Sequence, residues 1–385
     1  MSHRRFLPLN HRWRKERGMF DGRTEHIATP LLRSGTEILM QARDLKDTCL
    51  TKYRPKKTKI SHESRGDNWN KLSIFFQLPY WKSLLLRHNL DVMHIEKNIC
   101  DSLLGTLMNL KDKTNDGLKA RKDMVVLNIK HALHPVEVDG VLRCPAAPYA
   151  LSSEHKKRVC QFLKDVKMPD GFCSNLSLCV NIEEKKISGL KSHDCHILLQ
   201  YLIPLATRGL LPDDVYDAVV NLSMFFRLLC QKSLQREQLE KLHEDIVLTL
   251  CKLKKIFPPS FFDIMVHLPV HLPFEASLGG PVQYRWMYPV EQYMGTLKKY
   301  LKNRNFPEGS ICESYIVNES MSLCARYMND QDSRDASIQT STTLSIFYAM
   351  EDVSIGSAYT YEPMDRERAH SYILKNCREA EEYYK

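Results

Sequence analysis

Two long runs of helical periodicity, a few residues apart, constrain the fold of this chain more than any other feature. Across residues 212–232 the apolar positions Val215, Val219, Leu222, Phe226 and Leu229 recur every three or four residues. Across 234–256 Leu239, Leu242, Ile246, Leu250 and Leu253 do the same. Each apolar stripe has to be buried against another element, and so short a connection sets the two helices antiparallel. Pro258 and Pro259 end the second run, because proline lacks the amide that would continue it.

A third run follows Asp91. Val92, Ile95, Ile99, Leu103, Leu107 and Leu110 keep the helical period, and Asp91 stands where an N-cap belongs. Shorter helices are expected at 36–47, 120–126, 154–166, 314–328 and 364–382, and at 194–205 with an interruption at Pro204. Residues 1–35 read as loops and short strands, since Pro8, Gly18, Gly22, Pro30 and Gly35 break any longer element. An irregular stretch at 134–148 and a polar loop at 329–345 complete the reading. The expected class is mainly α with minor β.

Composition narrows the function. No run of about 18 apolar residues offers a membrane span, and the first residues carry basic side chains with no apolar stretch behind them, unlike a secretory signal. The 12 cysteines include no CxxC pair, which suits a reducing compartment. Gly-rich phosphate loops, GxSxG elbows and HExxH pairs are absent from the sequence, which argues against the enzyme classes they mark.

Charge is concentrated at one end. Residues 1–60 carry 15 Lys/Arg against 6 Asp/Glu, whereas the rest of the chain is balanced at 40 against 40. The basic segment also holds Phe6, Trp13, Phe20 and Tyr53. That mixture is the footprint of a phosphate-backbone binder, with Arg4, Arg5, Arg12, Arg14, Lys15, Lys56 and Lys57 as the candidate contacts. A solvated basic tail has the same composition. Residues 52–68, polar and without periodicity, read as a linker.

Three constellations have residue types suited to chemistry. Asp91-x-x-His94 places a carboxylate and an imidazole in the first turn of a helix, either as a cap with a neighbouring His or as part of a centre. The run Ser192-His193-Asp194-Cys195-His196 has metal-ligand types, but neighbours on one turn rarely converge on an ion without distant partners. Third, a Gly279-Gly280-Pro281 turn leads through aromatics to a helix begun at Pro289. On it Val290, Met294, Leu297 and Leu301 form an apolar edge, which a surface helix would bury. Glu291, Gly295, Lys298 and Lys302 form another edge. Glu291 either complements the helix dipole or, with Glu275, offers oxygen ligands to a cation.

Several blocks of the chain resemble plant CACTA transposases of the En/Spm type. They are MSHRRFL at 1–7 with Asn10-His11 and Phe20-Asp21-Gly22, LPYWKSLLLRHNLDVMHIEKNICDSLLGTL at 78–107, GLKSHDCHILLQYLIPLA at 189–206, and residues 268–324, which resemble the C-terminal domain of unknown function in those proteins. The likeness covers nearly the whole chain in the family's order. It implies a ribonuclease-H-like DDE enzyme in which three carboxylates hold two Mg²⁺ ions for DNA cleavage and strand transfer, in the nucleus. Asp91 and His94 match the family's Asp/Cys-x-x-His motif, and Glu291 is the carried-over third acid, with Glu275 as its rival.

The family's first two catalytic Asp residues precede the block in which residue 1 falls, so a truncated protein is expected. Its fold would be an incomplete ribonuclease-H-like remnant interrupted by a helical insertion. The expected divisions are 1–60 (basic segment), 61–117 (the DxxH block), 118–265 (helical insertion), 266–345 (C-terminal domain) and 346–385 (tail helix). DNA cleavage is then not expected, nor a bound metal in this form, Mg²⁺ being implied by resemblance only. Non-specific DNA contact through residues 1–60 and through Lys298, Lys299 and Lys302 would remain. The alternatives are a charge-neutral helical module that binds proteins through the aromatic run at 284–288, and a partner chain that supplies the two Asp residues.

Overall fold

Asp91 begins the first long helix, α1 (Val92–Leu107), in a computed structural model that describes residues 2–41, 73–110, 113–169, 172–335 and 367. Its Oδ1 accepts the amides of Met93 at 3.1 Å and His94 at 3.4 Å, satisfying donors that a helix start leaves unpaired. The periodic face is fully inside: Val92, Ile95, Ile99, Leu103 and Leu107 are each at most 2% exposed. Leu110 lies beyond the helix end. In the last turn of α1, Gly105 lets the Lys113 carbonyl approach to where a side chain would stand.

The other helices follow in order: α2 (Leu118–Val126), α3 (Ser153–Asp165), α4 (Ser192–Ile197), α5 (Ile203–Thr207), α6 (Asp213–Leu229), α7 (Arg236–Ile256) and α8 (Leu272–Gly279). The apolar runs at 212–232 and 234–256 become α6 and α7, which pack on each other. Phe226, Leu229, Ile246 and Leu250 have no exposed surface, each worth about 1.5–3 kcal/mol of burial. α1 packs on α4, and α8 on α7. Between α4 and α5 the helix loosens into a π turn, Leu198–Leu202. Pro204 enters at the start of α5 and has no amide to donate backwards, so the expected interruption is a change of helical pitch and not a break.

The basic N-terminal segment is folded onto this core. Expected strands are not found in its described residues; it forms a 3₁₀ turn at His3–Phe6, a one-turn helix at Arg12–Lys15 and a short helix at Gly35–Gln41. Strands elsewhere are small. β1 (Val136–Val138) pairs with β2 (Val141–Arg143) across Asp139-Gly140, both at positive φ, the geometry of a tight hairpin turn. β3 (Val180–Asn181) pairs with β4 (Lys186–Ile187). The described residues are thus mainly helical with two small sheets, neither of them a ribonuclease-H sheet.

The chain divides into two compact units, residues 1–291 and 292–385, and α9 (Tyr288–Tyr300) runs across the division. The apolar edge expected to be buried on α9 is open: Val290 is 46% and Met294 54% exposed, and the helix ends before Leu301 and Lys302. In the second unit α10 (Pro307–Asp335) begins earlier and ends later than the helix expected at 314–328, taking in the first part of the expected loop. Ser310 Oγ ties it to the end of α9, accepting the Lys302 amide at 2.9 Å and donating to the Tyr300 carbonyl at 3.1 Å. Ile316, Val317, Met321 and Leu323 of α10 are more than half exposed. The expected tail helix at 364–382 and the linker at 52–68 lie outside the described residues, Glu367 apart. No helix among the described residues is long and apolar enough to cross a membrane.

Candidate functional site

The N-terminus of α1 forms one wall of a narrow cleft lined by Asp91, Met93, His94, Ser192, Tyr288 and Glu291. The DxxH motif and the carried-over glutamate therefore share one site, although about two hundred residues separate them in the chain. Three elements build it. α1 contributes Asp91 and His94, α4 contributes Ser192 at its first residue, and the first turn of α9 contributes Tyr288 and Glu291. Met93 is buried beneath, while His94 and Glu291 are exposed.

Glu275 is not in this cleft. It is buried on α8, where its Oε2 accepts the Leu90 amide at 2.9 Å and faces Arg285 Nη1 at 3.8 Å. Arg285 in turn donates to Asn89 Oδ1 at 3.0 Å and to the Gly280 carbonyl at 3.3 Å. Burial raises the Glu275 carboxyl above its ordinary range, with the Leu90 amide and Arg285 acting the other way. The same burial lowers Arg285. Gly280, at φ 76°, makes the turn that brings Arg285 back onto α8. Glu275 and Arg285 thus anchor the strand of chain that leads into Asp91. They position the cleft from behind and do not line it.

The donor set can be weighed against the metal chemistry that the resemblance implies. The cleft has two carboxylates and one imidazole, and one oxygen of Asp91 is already committed to the cap. Among the described residues, donor atoms of Asp91, His94 and Glu291 do not all come within 4.8 Å of one another. A two-ion centre needs several acidic groups around ions about 4 Å apart. These residues do not fit it, and no cleavage step follows from them.

The candidate DNA contacts divide sharply. Arg4 and Arg14 are 1% and 2% exposed. Arg4 donates to the Trp13, Glu16 and Arg23 carbonyls and pairs with Asp21 at 2.5 Å, its guanidinium lying 4.6 Å over the Phe20 ring. Arg14 donates to the Leu7, Ile27 and Arg5 carbonyls. Both guanidinium groups organise the segment internally, which removes them from any phosphate contact. A fixed fork of five donors suits them to gather loop carbonyls that have no secondary-structure partner. Arg5 is half-buried and pairs with Glu25 at 3.3 Å. Arg12 and Lys15 are exposed, as are Lys298 and Lys302 in the second unit. Lys56 and Lys57 lie outside the described residues. A larger cavity of about 500 Å³ lies beside this segment, where Arg5, Arg23 and Lys254 share the lining with Asp21 and Glu25. Its charges are mixed, so it is no simple phosphate pocket.

Sequence reasoning missed Ser192 and Tyr288 as cleft residues. In the sequence Ser192 is only the start of a His-rich helix, and Tyr288 one of several aromatics. Neither carries a local signal of its neighbours.

One family model matches part of the chain: a domain of unknown function (DUF4218), over residues 229–341. No curated protein and no solved structure matches the chain.

Proposed function

We propose that the chain is derived from a CACTA-type DDE transposase and acts as a DNA-associated helical protein that does not cut DNA by itself. The observation that carries this reading is the convergence of Asp91, His94 and Glu291 on one cleft. The matched domain supports it, since that family occurs in plant transposases. The lack of cleavage is proposed from the donor count of the cleft. DNA contact is proposed through the exposed cations Arg12, Lys15, Lys298 and Lys302 and the half-buried Arg5, and nuclear residence follows from the same reading. The ribonuclease-H ancestry of residues around Asp91 belongs to this proposal as well.

Duplex binding measured against salt tests it. Affinity should fall steeply and log-linearly as salt rises, because each neutralised phosphate releases a counterion. Binding that is absent at low salt, or indifferent to salt, would sink the DNA clause. A nicking assay with Mg²⁺ or Mn²⁺ tests the other clause: cleavage that disappears with Glu291→Gln would show a working centre.

A second reading is a protein-binding module. The exposed Tyr284 and Met287, and the open apolar residues of α10, favour it. Partners retained from nuclear extract after nuclease treatment would support it over DNA association.

A further inference from the structure

Below the cleft, three helices bring together a carboxylate, an imidazole and a thiol that sequence spacing keeps far apart. Glu96 on α1, His196 on α4 and Cys230 just past the end of α6 place one donor atom each within 4.8 Å of one another. Glu96 has no exposed surface and His196 is 7% exposed. His196 is the residue of the His-rich run whose partners could not be read locally; Glu96 and Cys230 are those distant partners.

Hydrogen bonds through Gln200 already draw these donors together. His196 Nδ1 lies 2.5 Å from Glu96 Oε2 and 3.1 Å from Gln200 Nε2, and Gln200 Nε2 lies 2.8 Å from Glu96 Oε1. With His196 Nδ1–H donating to Glu96, the Gln200 amide gives one hydrogen to Oε1 and the other to the Cys230 sulfur. If Gln200 is turned over, its oxygen faces the Glu96 carboxylate acceptor to acceptor. A cation can take the place of the proton between His196 and Glu96: the imidazole Nδ1 lone pair and carboxylate Oε2 both turn to it, and Gln200 keeps its donation to Oε1. That last contact is the kind of outer support a ligating carboxylate ordinarily has.

We propose that Glu96, His196 and Cys230 form a buried site for a divalent transition metal of the zinc type, with Gln200 orienting the carboxylate. Nitrogen, oxygen and sulfur donors in this mixture match zinc and not Mg²⁺ or Ca²⁺, which take oxygen. Binding opens the short His196–Glu96 contact by roughly an ångström, since two ligands of one tetrahedral ion sit about 3.3–3.8 Å apart. Charge balances. The ion brings two positive charges, Glu96 and the Cys230 thiolate bring two negative ones, neutral His196 carries its proton on Nε2, and the one proton released from the Cys230 thiol leaves to solvent. The site is independent of the DNA reading and would staple α1, α4 and the α6 end whatever the chain binds.

Cobalt titration of the chelator-treated full chain tests this. One equivalent of Co²⁺ should give tetrahedral visible bands and a thiolate-to-cobalt charge-transfer band. Cys230→Ser should abolish the charge-transfer band, and Gln200→Leu should weaken binding by about 10- to 100-fold while leaving that band in place. No stoichiometric cobalt or zinc binding by the wild-type chain, or a spectrum unchanged by Cys230→Ser, overturns the proposal. Should the variants fail to fold, the wild type decides alone. Peptide mapping after alkylation should show Cys230 protected by one equivalent of zinc while exposed Cys144 reacts unchanged, and equal reaction at Cys230 with and without zinc overturns the site.

Discussion

Glu275 on α8 accepts the backbone amide of Leu90 at 2.9 Å, 185 residues earlier in the chain. The contact fixes the chain just before Asp91, and with it the start of α1. We predict that Glu275→Ala costs about 1.5–3 kcal/mol, the range for a hydrogen bond to a charged group. Glu275→Gln keeps an acceptor oxygen and should cost less. Urea unfolding measures both, and an alanine variant as stable as wild type would show that the anchor is not made in solution.

Acid should loosen the packing of the N-terminal segment. His3 has no exposed surface, and neither of its ring nitrogens finds a partner; its ring lies 5.1 Å from that of His267. Burial, helped by the charge of Lys254, pushes His3 down to about 2, and burial with the neighbouring His271 pushes His267 down to about 4. Both are neutral in the folded state, so below the ordinary 6.5 the unfolded chain takes up protons that the folded chain refuses. Stability is therefore complete above 6.5 and is lost as pH falls towards 4, at up to about 1.4 kcal/mol per pH unit for each histidine. His267→Gln should flatten the pH dependence of the unfolding free energy in that window relative to wild type. Parallel curves for the two proteins would contradict the assignment.

Gly105 offers a test of backbone proximity. A Cβ there would stand 2.5 Å from the Lys113 carbonyl oxygen, too close for any atom. Alanine is about 1 kcal/mol better than glycine inside a helix, yet here it must displace backbone, so we expect Gly105→Ala to destabilise by about 1–3 kcal/mol. A gain in thermal midpoint would mean that the Lys113 turn does not sit against α1.

The N-terminal cations should separate into two behaviours. Arg4→Ala removes a buried guanidinium and leaves several loop carbonyls without their donor, so a loss of about 3 kcal/mol or more is expected. Arg12→Ala and Lys15→Ala should leave stability within about 0.5 kcal/mol, while each lowers the salt slope of DNA binding by about one. Equal effects of all three on stability would erase the distinction.

Periodicity made the long helices legible. The stripes of α1, α6 and α7 need no knowledge of partners, because an apolar face states on its own that it will be buried. The same logic misled at α9, where Val290 and Met294 recur at helical spacing but stay open. A stripe announces amphipathicity without naming what covers it. The β1–β2 hairpin is hard to read, although Asp139-Gly140 carries the turn signal, because each strand is only three residues long and too short for a period-2 pattern to stand out. Positive charge was visible as a sum; that Arg4 and Arg14 turn inward was not, since inward direction depends on which carbonyls lie unpaired around them. Asp91, His94 and Glu291 stand out in the sequence by residue type, but only the resemblance gives them a common role. Glu96 and Cys230 were beyond reach, for each meets His196 only through packing of separate helices.

The π turn at Leu198–Leu202 has a consequence for helical phase. An α-helix advances about 100° per residue, and the wider turn takes up roughly one residue more than a regular helix would. His196 and Gln200 are thereby rotated against Ile203 and Ala206, so one half of the segment faces Glu96 while the other keeps its own seat against α6. Deleting a single apolar residue from the turn would restore a regular helix and swing His196 away by about a quarter turn. Such a variant should lose the cobalt spectrum with every donor residue still in place. The centre is specified by a count of residues as much as by their identities, and a chain one residue shorter here could match at every ligand and still be blind to the metal.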